Sequence, residues 1–326
     1  MAVLVTGGAG YIGSHVVRQL SEAGYTVVVY DNLSTGFADA LVHGERLMVG
    51  ELADSARLDA LFAEYGFKTV LHFAASIVAP ESVTDPLKYY SNNTRNTLNL
   101  LTACVKHGVE RFIFSSTAAV YGMPENGIAA EDSPTVPINP YGTSKLMSEW
   151  MLRDVCAAHG MRSVALRYFN VAGADPRARM GQRTPEATHL IKVSCQAALG
   201  MRDRVSIFGT DYETPDGTGI RDYIHVEDLA SAHLAALAYL EGGGESTRIN
   251  VGYGTGSSVR EVIEMVRRVS GVDFPAEEAP RRPGDPAMLV ARADRARSVL
   301  GWTPRYDDLE TIVADAWRWE AKLNKR

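Results

Sequence analysis

Short, continuous apolar runs alternate with longer stretches of helical periodicity through the first half of the chain. The runs are AVLVT (Ala2–Thr6), YTVVVYD (Tyr25–Asp31), TVLHFAA (Thr69–Ala75), RFIFSST (Arg111–Thr117) and RSVALRYFN (Arg162–Asn170). They are rich in β-branched residues and do not alternate with polar ones. A strand that is apolar on both sides suits a sheet covered on both faces, which is a parallel sheet. Between the runs the pattern predicts helices at roughly 11–23, 55–65, 86–107 and 140–159. Strand and helix in this order predict right-handed βαβ units, and so an α/β fold with a doubly wound parallel sheet of the Rossmann type.

Past about Asn170 the rhythm breaks. Ala172–His189 is rich in Gly, Pro and charge and reads as loop, as does Gly209–Gly219. Helices are expected near 189–200, 226–241, 258–270 and 307–322. The expected organisation is a dinucleotide-binding unit over 1–170 and a smaller mixed α/β unit over 171–326 that caps the sheet and carries the substrate. A segment within 220–250 is compatible with either unit.

Composition narrows the class. A chain of 326 residues with 46% hydrophobic and 22% charged residues holds ample core material for a soluble protein. A net charge of −6 argues against a nucleic-acid or anionic-membrane surface. No apolar run approaches the roughly 20 residues that cross a bilayer. The opening residues show neither a basic leader nor a long apolar stretch, so no signal peptide is expected. Cys104, Cys156 and Cys195 are widely spaced, without any CxxC pair. They predict reduced thiols in a cytoplasmic protein and no metal site.

Three stretches carry candidate chemistry. VTGGAGYIGSH follows the first strand, with Gly7, Gly10 and Gly13 in GxxGxxG spacing. Glycines permit the tight strand-to-helix turn and let backbone N–H groups approach a pyrophosphate at the helix N-terminus. Asp31 ends the second strand, where a carboxylate can accept from an adenosine ribose and would repel a 2′-phosphate; this favours NAD over NADP. Asn32 and Asn92 read equally well as caps.

The second stretch is INPYGTSK. Asn139 can cap a helix with Pro140 at its first position, so Tyr141 and Lys145 share a face one turn apart. An ammonium beside a phenol stabilises the phenolate and prepares it as a general base. Alone, such a pair is more often a solvated helix face. The third stretch, FSSTAAVYG, changes that balance. It places Ser115, Ser116 and Thr117 at the carboxyl end of a strand, where open α/β sheets meet their ligands.

Taken with YDNLSTG, YYSNNTRNT, LRYFNVAGA, IFGTDYETPDGTGIRDYIHVEDLA and APRRPGD, these motifs resemble the extended short-chain dehydrogenase/reductases over nearly the full length. Within that family the chain is most similar to the UDP-glucose (UDP-galactose) 4-epimerases. The resemblance implies reversible C4 epimerisation of a UDP-hexose by transient hydride transfer to tightly bound NAD. It implies Tyr141 as base, Lys145 as its partner and Thr117 as the hydroxyl between base and sugar. Gly7, Gly10, Tyr11, Ile12 and Gly13 would form the cofactor loop, with Asp31 and Asn32 at the adenosine and Glu51 and Leu52 near the adenine. Phe73, Ala74, Ala75, Asn92 and Tyr168 would line the cofactor. Asn170, His189, Leu190, Phe208, Arg221, Tyr223, Arg282, Asp285 and Leu289 match positions that hold the UDP-sugar. The family also implies a homodimer through the helices near 86–107 and 140–159.

Four positions depart from the family pattern. Glu51 replaces a common Asp, Ile77 stands where some members have Lys, and His189 where some have Asn. Leu289 stands where some have a bulky Tyr beside the sugar C2 group, which leaves room for an N-acetyl substituent. UDP-N-acetylhexosamine and UDP-pentose therefore remain alternative substrates. A nucleotide-sugar 4,6-dehydratase is disfavoured, because Ala118 and Ala119 follow Thr117 where dehydratases carry acids. A non-catalytic NAD-binding protein is disfavoured because Tyr141 and Lys145 are both present.

Overall fold

Val3 and Val5 face one side of their strand and Leu4 the other, and all three are buried. The structure, a computed structural model, describes residues 2–184, 187–282 and 284–325. Seven parallel strands form the large sheet: β1 (Ala2–Thr6), β2 (Thr26–Asp31), β3 (Arg46–Val49), β4 (Thr69–His72), β5 (Arg111–Thr117), and, after the two-residue β6 (Ile128–Ala129), β7 (Arg162–Tyr168) and β11 (Thr247–Val251). Their order across the sheet is β11-β7-β5-β4-β1-β2-β3. Val3, Val5, Val29, Leu71, Ile113, Leu166 and Ile249 pack on one face under α1 (Tyr11–Glu22) and α8 (Val226–Glu241). Leu4, Val28, Val70, Phe112 and Phe114 pack on the other, under α2 (Ser55–Tyr65), α5 (Asn96–Lys106) and α6 (Pro140–His159). Double-sided burial is why these strands are continuously apolar.

The predicted helix over 86–107 is a continuous helical run interrupted by a wide π turn. Between α3 (Ala79–Thr84) with α4 (Pro86–Tyr89) and α5 lies the turn Tyr90–Arg95. The run predicted as strand 69–75 leaves the sheet after His72. The run 162–170 breaks at Phe169, and β8 (Asn170–Ala172) joins a second sheet. That sheet orders β12 (Gly256–Ser258), β10 (Ile220–His225), β14 (Met288–Ala291) and β6, with β8 also paired to β10. A parallel pair, β9 (Val205–Phe208) with β13 (Ala276–Ala279), completes the strands. Helices α7 (Leu190–Ala198), α9 (Val259–Ser270) and α11 (Leu309–Leu323) enclose a third core of Ile191, Cys195, Val262 and Val313, and α10 (Asp294–Leu300) lies on α8. Across 173–184 there is no helix or strand, only a bridge between Ala174 and Gly181; Pro185 and Glu186 of the predicted loop lie outside the described residues. After β10 the chain returns to the large sheet, laying α8 on its face and adding β11 beside β7. No helix among the described residues is long and apolar enough to cross a membrane.

His72 and His233 are two of four buried histidines. His72 stands between the Thr6 and Thr97 hydroxyls at 2.7 and 2.9 Å. Thr97 donates its own proton to the Asn93 carbonyl, so His72 Nε2–H donates to Thr97 and Nδ1 accepts from Thr6. Burial pushes His72 down to about 3, with the Lys145 cation adding to the effect, and pushes His233 down to about 4. Both folded values lie below the unfolded value near 6.5, so the unfolded chain binds protons first as pH falls. Their stabilisation is present above about pH 6.5 and is lost progressively toward pH 4. Urea unfolding of the ligand-free protein should show this loss, at up to about 1.4 kcal/mol per pH unit for each histidine. His72→Gln, which cannot ionise, should flatten the slope; an unchanged slope excludes His72 as a source.

Candidate active site

The glycine loop is closed by two backbone contacts that tolerate no side chain. Gly7 adopts φ +73°, and a Cβ there would lie 2.5 Å from the Ala74 backbone nitrogen. A Cβ at Gly13 would lie 2.2 Å from the Gly7 carbonyl oxygen. The start of α1, the end of β1 and the segment after β4 therefore touch at the backbone. Gly10, the N-cap of α1, offers no side-chain cap, and Tyr11 and Ile12 open a first turn without acidic residues. The positive end of the helix is left for an anion.

Asp31 braces this loop from behind. Its Oδ2 accepts from the Ala9 N–H at 2.9 Å and its Oδ1 from the Leu33 N–H at 2.8 Å, fixing Leu33 at φ +57°. Each carboxylate oxygen keeps one lone pair for a further donor. Asn32 donates to both Glu51 oxygens at 3.1 and 3.2 Å, above the buried Leu52.

Two strands along the same carboxyl edge of the sheet, beyond β5, Asn139 accepts from the Gly142 N–H at 2.9 Å and Pro140 starts α6. A Cβ at Gly142 would come within 2.6 Å of the Ala119 carbonyl oxygen. The first turn of α6, which carries Tyr141, is thus pressed against the turn after β5, next to Thr117. Lys145, one turn on, is buried. Its Nζ donates to the Ser115 carbonyl at 2.8 Å and lies 5.0 Å above the Phe114 ring.

Lys145 does not depress the Tyr141 phenol in the protein alone, which corrects the sequence expectation. Burial raises the phenol above its ordinary value, and the Thr117 hydroxyl is the group that pulls it down. Lys145 is itself pushed down to about 7 by burial, against the opposing pull of Glu149. Desolvation penalises both charged forms.

Tyr168 lies opposite Thr117 in the β5–β7 register, with its hydroxyl buried and, among the described residues, without a well-formed hydrogen bond. Phe73 packs on His233 with ring centres 4.8 Å apart, and Ala74 and Ala75 follow it along the segment after β4. Asn92 donates to the Ser76 hydroxyl at 3.0 Å. Its neighbour Asn93, which nothing in the sequence singles out, is the stronger clamp. Asn93 accepts from the Ser76 N–H at 2.8 Å and donates to the Ser76 carbonyl and the Ser144 hydroxyl, both at 3.0 Å. It joins the segment after β4 to the helix of Tyr141. The π turn is what lets adjacent asparagines serve one site.

The candidate substrate residues lie across the mouth of the sheet. Asn170 and Tyr223 face each other in the β8–β10 register and line a small cavity with His189, Leu190 and Gln182. Arg221 lies two residues before Tyr223, on the same face of β10, paired with Asp285. Leu289 is opposite Arg221 in the β10–β14 register and packs with Ala118, Leu146 and Phe169. Arg282 places its guanidinium 3.7 Å from the Phe208 ring centre.

Behind Lys145, Glu149 accepts from Arg167 Nε at 2.9 Å and Nη2 at 2.5 Å. Arg167 also donates to the Tyr121 hydroxyl at 3.0 Å, and Tyr121 donates to Asn250 of β11 at 2.6 Å.

Residues 3–252 match the model of the NAD dependent epimerase/dehydratase family. The chain belongs to that family. It is 58% identical over 323 residues to the UDP-glucose 4-epimerase of Azospirillum brasilense, covering 99% of this chain and 93% of the relative. The UDP-glucose 4-epimerase of Brucella ovis, solved in complex with NAD, matches with TM-score 0.94 and 45% identity over 97% of each chain. The UDP-Glc/GlcNAc 4-epimerase of Campylobacter jejuni matches with TM-score 0.87 and 51% identity, over 98% of this chain and 99% of that one. In this epimerase/dehydratase chain the residues present fit a dinucleotide. The uncapped α1 N-terminus suits a pyrophosphate, the side-chain-free cradle at Gly7 and Gly13 allows its close approach, and the orphaned Tyr168 hydroxyl awaits a polar partner.

The buried Arg167–Glu149 pair gives a direct stability test. Glu149→Gln leaves the guanidinium buried without its counter-charge and should cost about 3–5 kcal/mol in urea unfolding. Combining it with Arg167→Met should cost less than the sum of the two single changes. Strict additivity would show that the pair is not coupled.

Proposed function

We propose that this chain interconverts UDP-glucose and UDP-galactose by reversible epimerisation at C4, with NAD as its resident cofactor. The observation that carries this is the grouping of Tyr141, Lys145 and Thr117 at the carboxyl end of β5, between an uncapped dinucleotide loop and the Asn170–Tyr223 cavity. Near-full-length likeness to UDP-glucose 4-epimerases supports it. Bound NAD⁺ would supply the hydride acceptor and a positive charge to the site.

The remaining work falls to the protein. Tyr141 takes the proton of the 4-hydroxyl through Thr117 and later returns it, so the net reaction needs no external acid, base or oxidant. Lys145, buried and anchored to Ser115, holds a cation next to the ribose side of the cofactor site. Arg221 and Arg282 hold the diphosphate, for which a guanidinium fork is suited. Asn170, His189 and Tyr223 contact the UDP-sugar with few charges, which lets the flat 4-keto sugar turn over while UDP stays fixed. In this arrangement the large sheet with α8 and β11 forms the cofactor unit, and the second sheet with α7, α9 and α11 forms the substrate unit. A cytoplasmic setting suits the three buried, unpaired thiols.

Leu289 favours a second substrate class. It has the volume of an aliphatic side chain at the edge of the Arg221 strand, which leaves space beside the sugar for an N-acetyl group. We also propose a homodimer through α4–α6, because Leu87, Leu98 and Trp150 are 74%, 47% and 48% exposed there. Sedimentation should give twice the chain mass, reverting to one with Trp150→Glu; a monomer at micromolar concentration rejects the pairing.

Purified protein given UDP-galactose should form UDP-glucose without accumulating reduced cofactor, and UDP-N-acetylglucosamine should also turn over. Tyr141→Phe should lower kcat at least about 100-fold. Accumulation of NADH in step with product would overturn epimerisation, full activity of the variant would overturn the assignment of the base, and inertness toward the N-acetylated sugar would overturn the role given to Leu289.

A further inference from the structure

The cavity beside Asn170 and Tyr223 is walled in part by the C-terminal helix. One side chain of α11 and one of α7 converge on a single residue of the 173–184 segment. Trp319 Nε1 donates to the Gln182 carbonyl at 3.0 Å, and Lys192 Nζ donates to the same oxygen at 3.0 Å. Lys192 is in turn ion-paired with Glu320, and both are buried. A side chain at Gly181 would strike the Trp319 ring at 2.6 Å. The Gln182 carbonyl is therefore held by two donors, its neighbour Gly181 packs on the Trp319 ring, and its side chain is buried.

That side chain meets His189. Gln182 Nε2 lies 2.8 Å from His189 Nδ1. In this carboxamide orientation the amide nitrogen donates and Nδ1 accepts, which assigns the ring proton of the neutral imidazole to Nε2. Among the described residues Nε2 has no partner. The enclosed position and the Lys192 cation hold the ring below its usual pKa, so the neutral form prevails at neutral pH.

We infer that Gln182 is a positioning residue that locks His189 as the Nε2–H tautomer, so that the substrate cavity presents a neutral hydrogen-bond donor to an oxygen of the sugar nucleotide. The inference rests on the substrate-site assignment above and adds to it the sense of the hydrogen bond. It also accounts for a histidine at a position where the family resemblance implies asparagine in some members: a carboxamide donates from the same place without needing a partner to set its tautomer. Protonation of His189 leaves Nε2–H in place, so the donor survives across the working pH range.

The test is the pH dependence of KM for UDP-galactose in four variants. In the parent protein KM should be insensitive to His189 ionisation between pH 6 and 9. Gln182→Glu accepts from Nδ1–H and strips Nε2 of its proton in the neutral ring. Its KM should rise about tenfold at pH 8 and recover toward pH 6, where the imidazolium again carries both protons. Gln182→Met should raise KM with no recovery in acid. In a His189→Asn background, neither Gln182 change should raise KM further. Bound NAD and melting temperature serve as controls for folding. If Gln182→Glu and Gln182→Met leave KM unchanged, or act equally in the His189→Asn background, tautomer control is wrong. If His189→Ala itself leaves KM unchanged, the substrate-site assignment fails instead.

Discussion

A lysine ammonium buried under a parallel sheet is the constraint around which this molecule is arranged. Lys145 has one hydrogen-bond acceptor, the Ser115 carbonyl, and one nearby carboxylate, Glu149. A buried charge needs oriented partners or it loses its proton. The carbonyl is available because β5 runs on to Thr117, and the carboxylate is available because α6 repeats one turn later. Glu149 is committed to Arg167 of β7, and Arg167 reaches through Tyr121 to Asn250 of β11. The helix bearing the phenol, two central strands and the returning edge strand thus share one polar net. Moving any of them would strand a charge in the core.

In the proposed arrangement, cofactor and substrate are gathered by different devices. On the cofactor side the determinants are backbone: glycines at contact distance, an uncapped helix start and an aspartate that fixes the loop. On the substrate side they are side chains on short strands, matched across β8, β10 and β14. The first kind of site is rigid and indifferent to chemistry beyond phosphate and ribose. The second admits substitution, and His189 and Leu289 lie within it.

The same contrast explains what could be read from the chain. Strands buried on both faces announce themselves as unbroken apolar runs, so β1, β2, β4, β5 and β7 were legible, as was the helix start at Asn139 and Pro140. The edge strand β3 was not, because Arg46 and Val49 face solvent and only the middle of RLMV is partly buried. Nor were β6, β8, β12 and β14, which are two to four residues long and owe their existence to partners far along the chain. The π turn left no signal, since its polar residues satisfy either helical pitch. Tyr141, Lys145 and Thr117 could be found from spacing, but the direction of their pKa shifts could not. That depends on burial, and here burial opposes the charge pair.

The late arrival of β11 has a bearing on how the molecule is made. A chain emerging from the ribosome has six of the seven large-sheet strands by Tyr168, yet the edge next to β7 stays open until Val251. Throughout that interval the Tyr121 hydroxyl lacks Asn250 and the flank of β7 is an unpaired sheet edge, while α8 has yet to cover Val164 and Leu166. Roughly a quarter of the polypeptide must therefore be synthesised with the nascent Rossmann core incomplete, a window in which a chaperone or a neighbouring nascent chain has the same edge to bind.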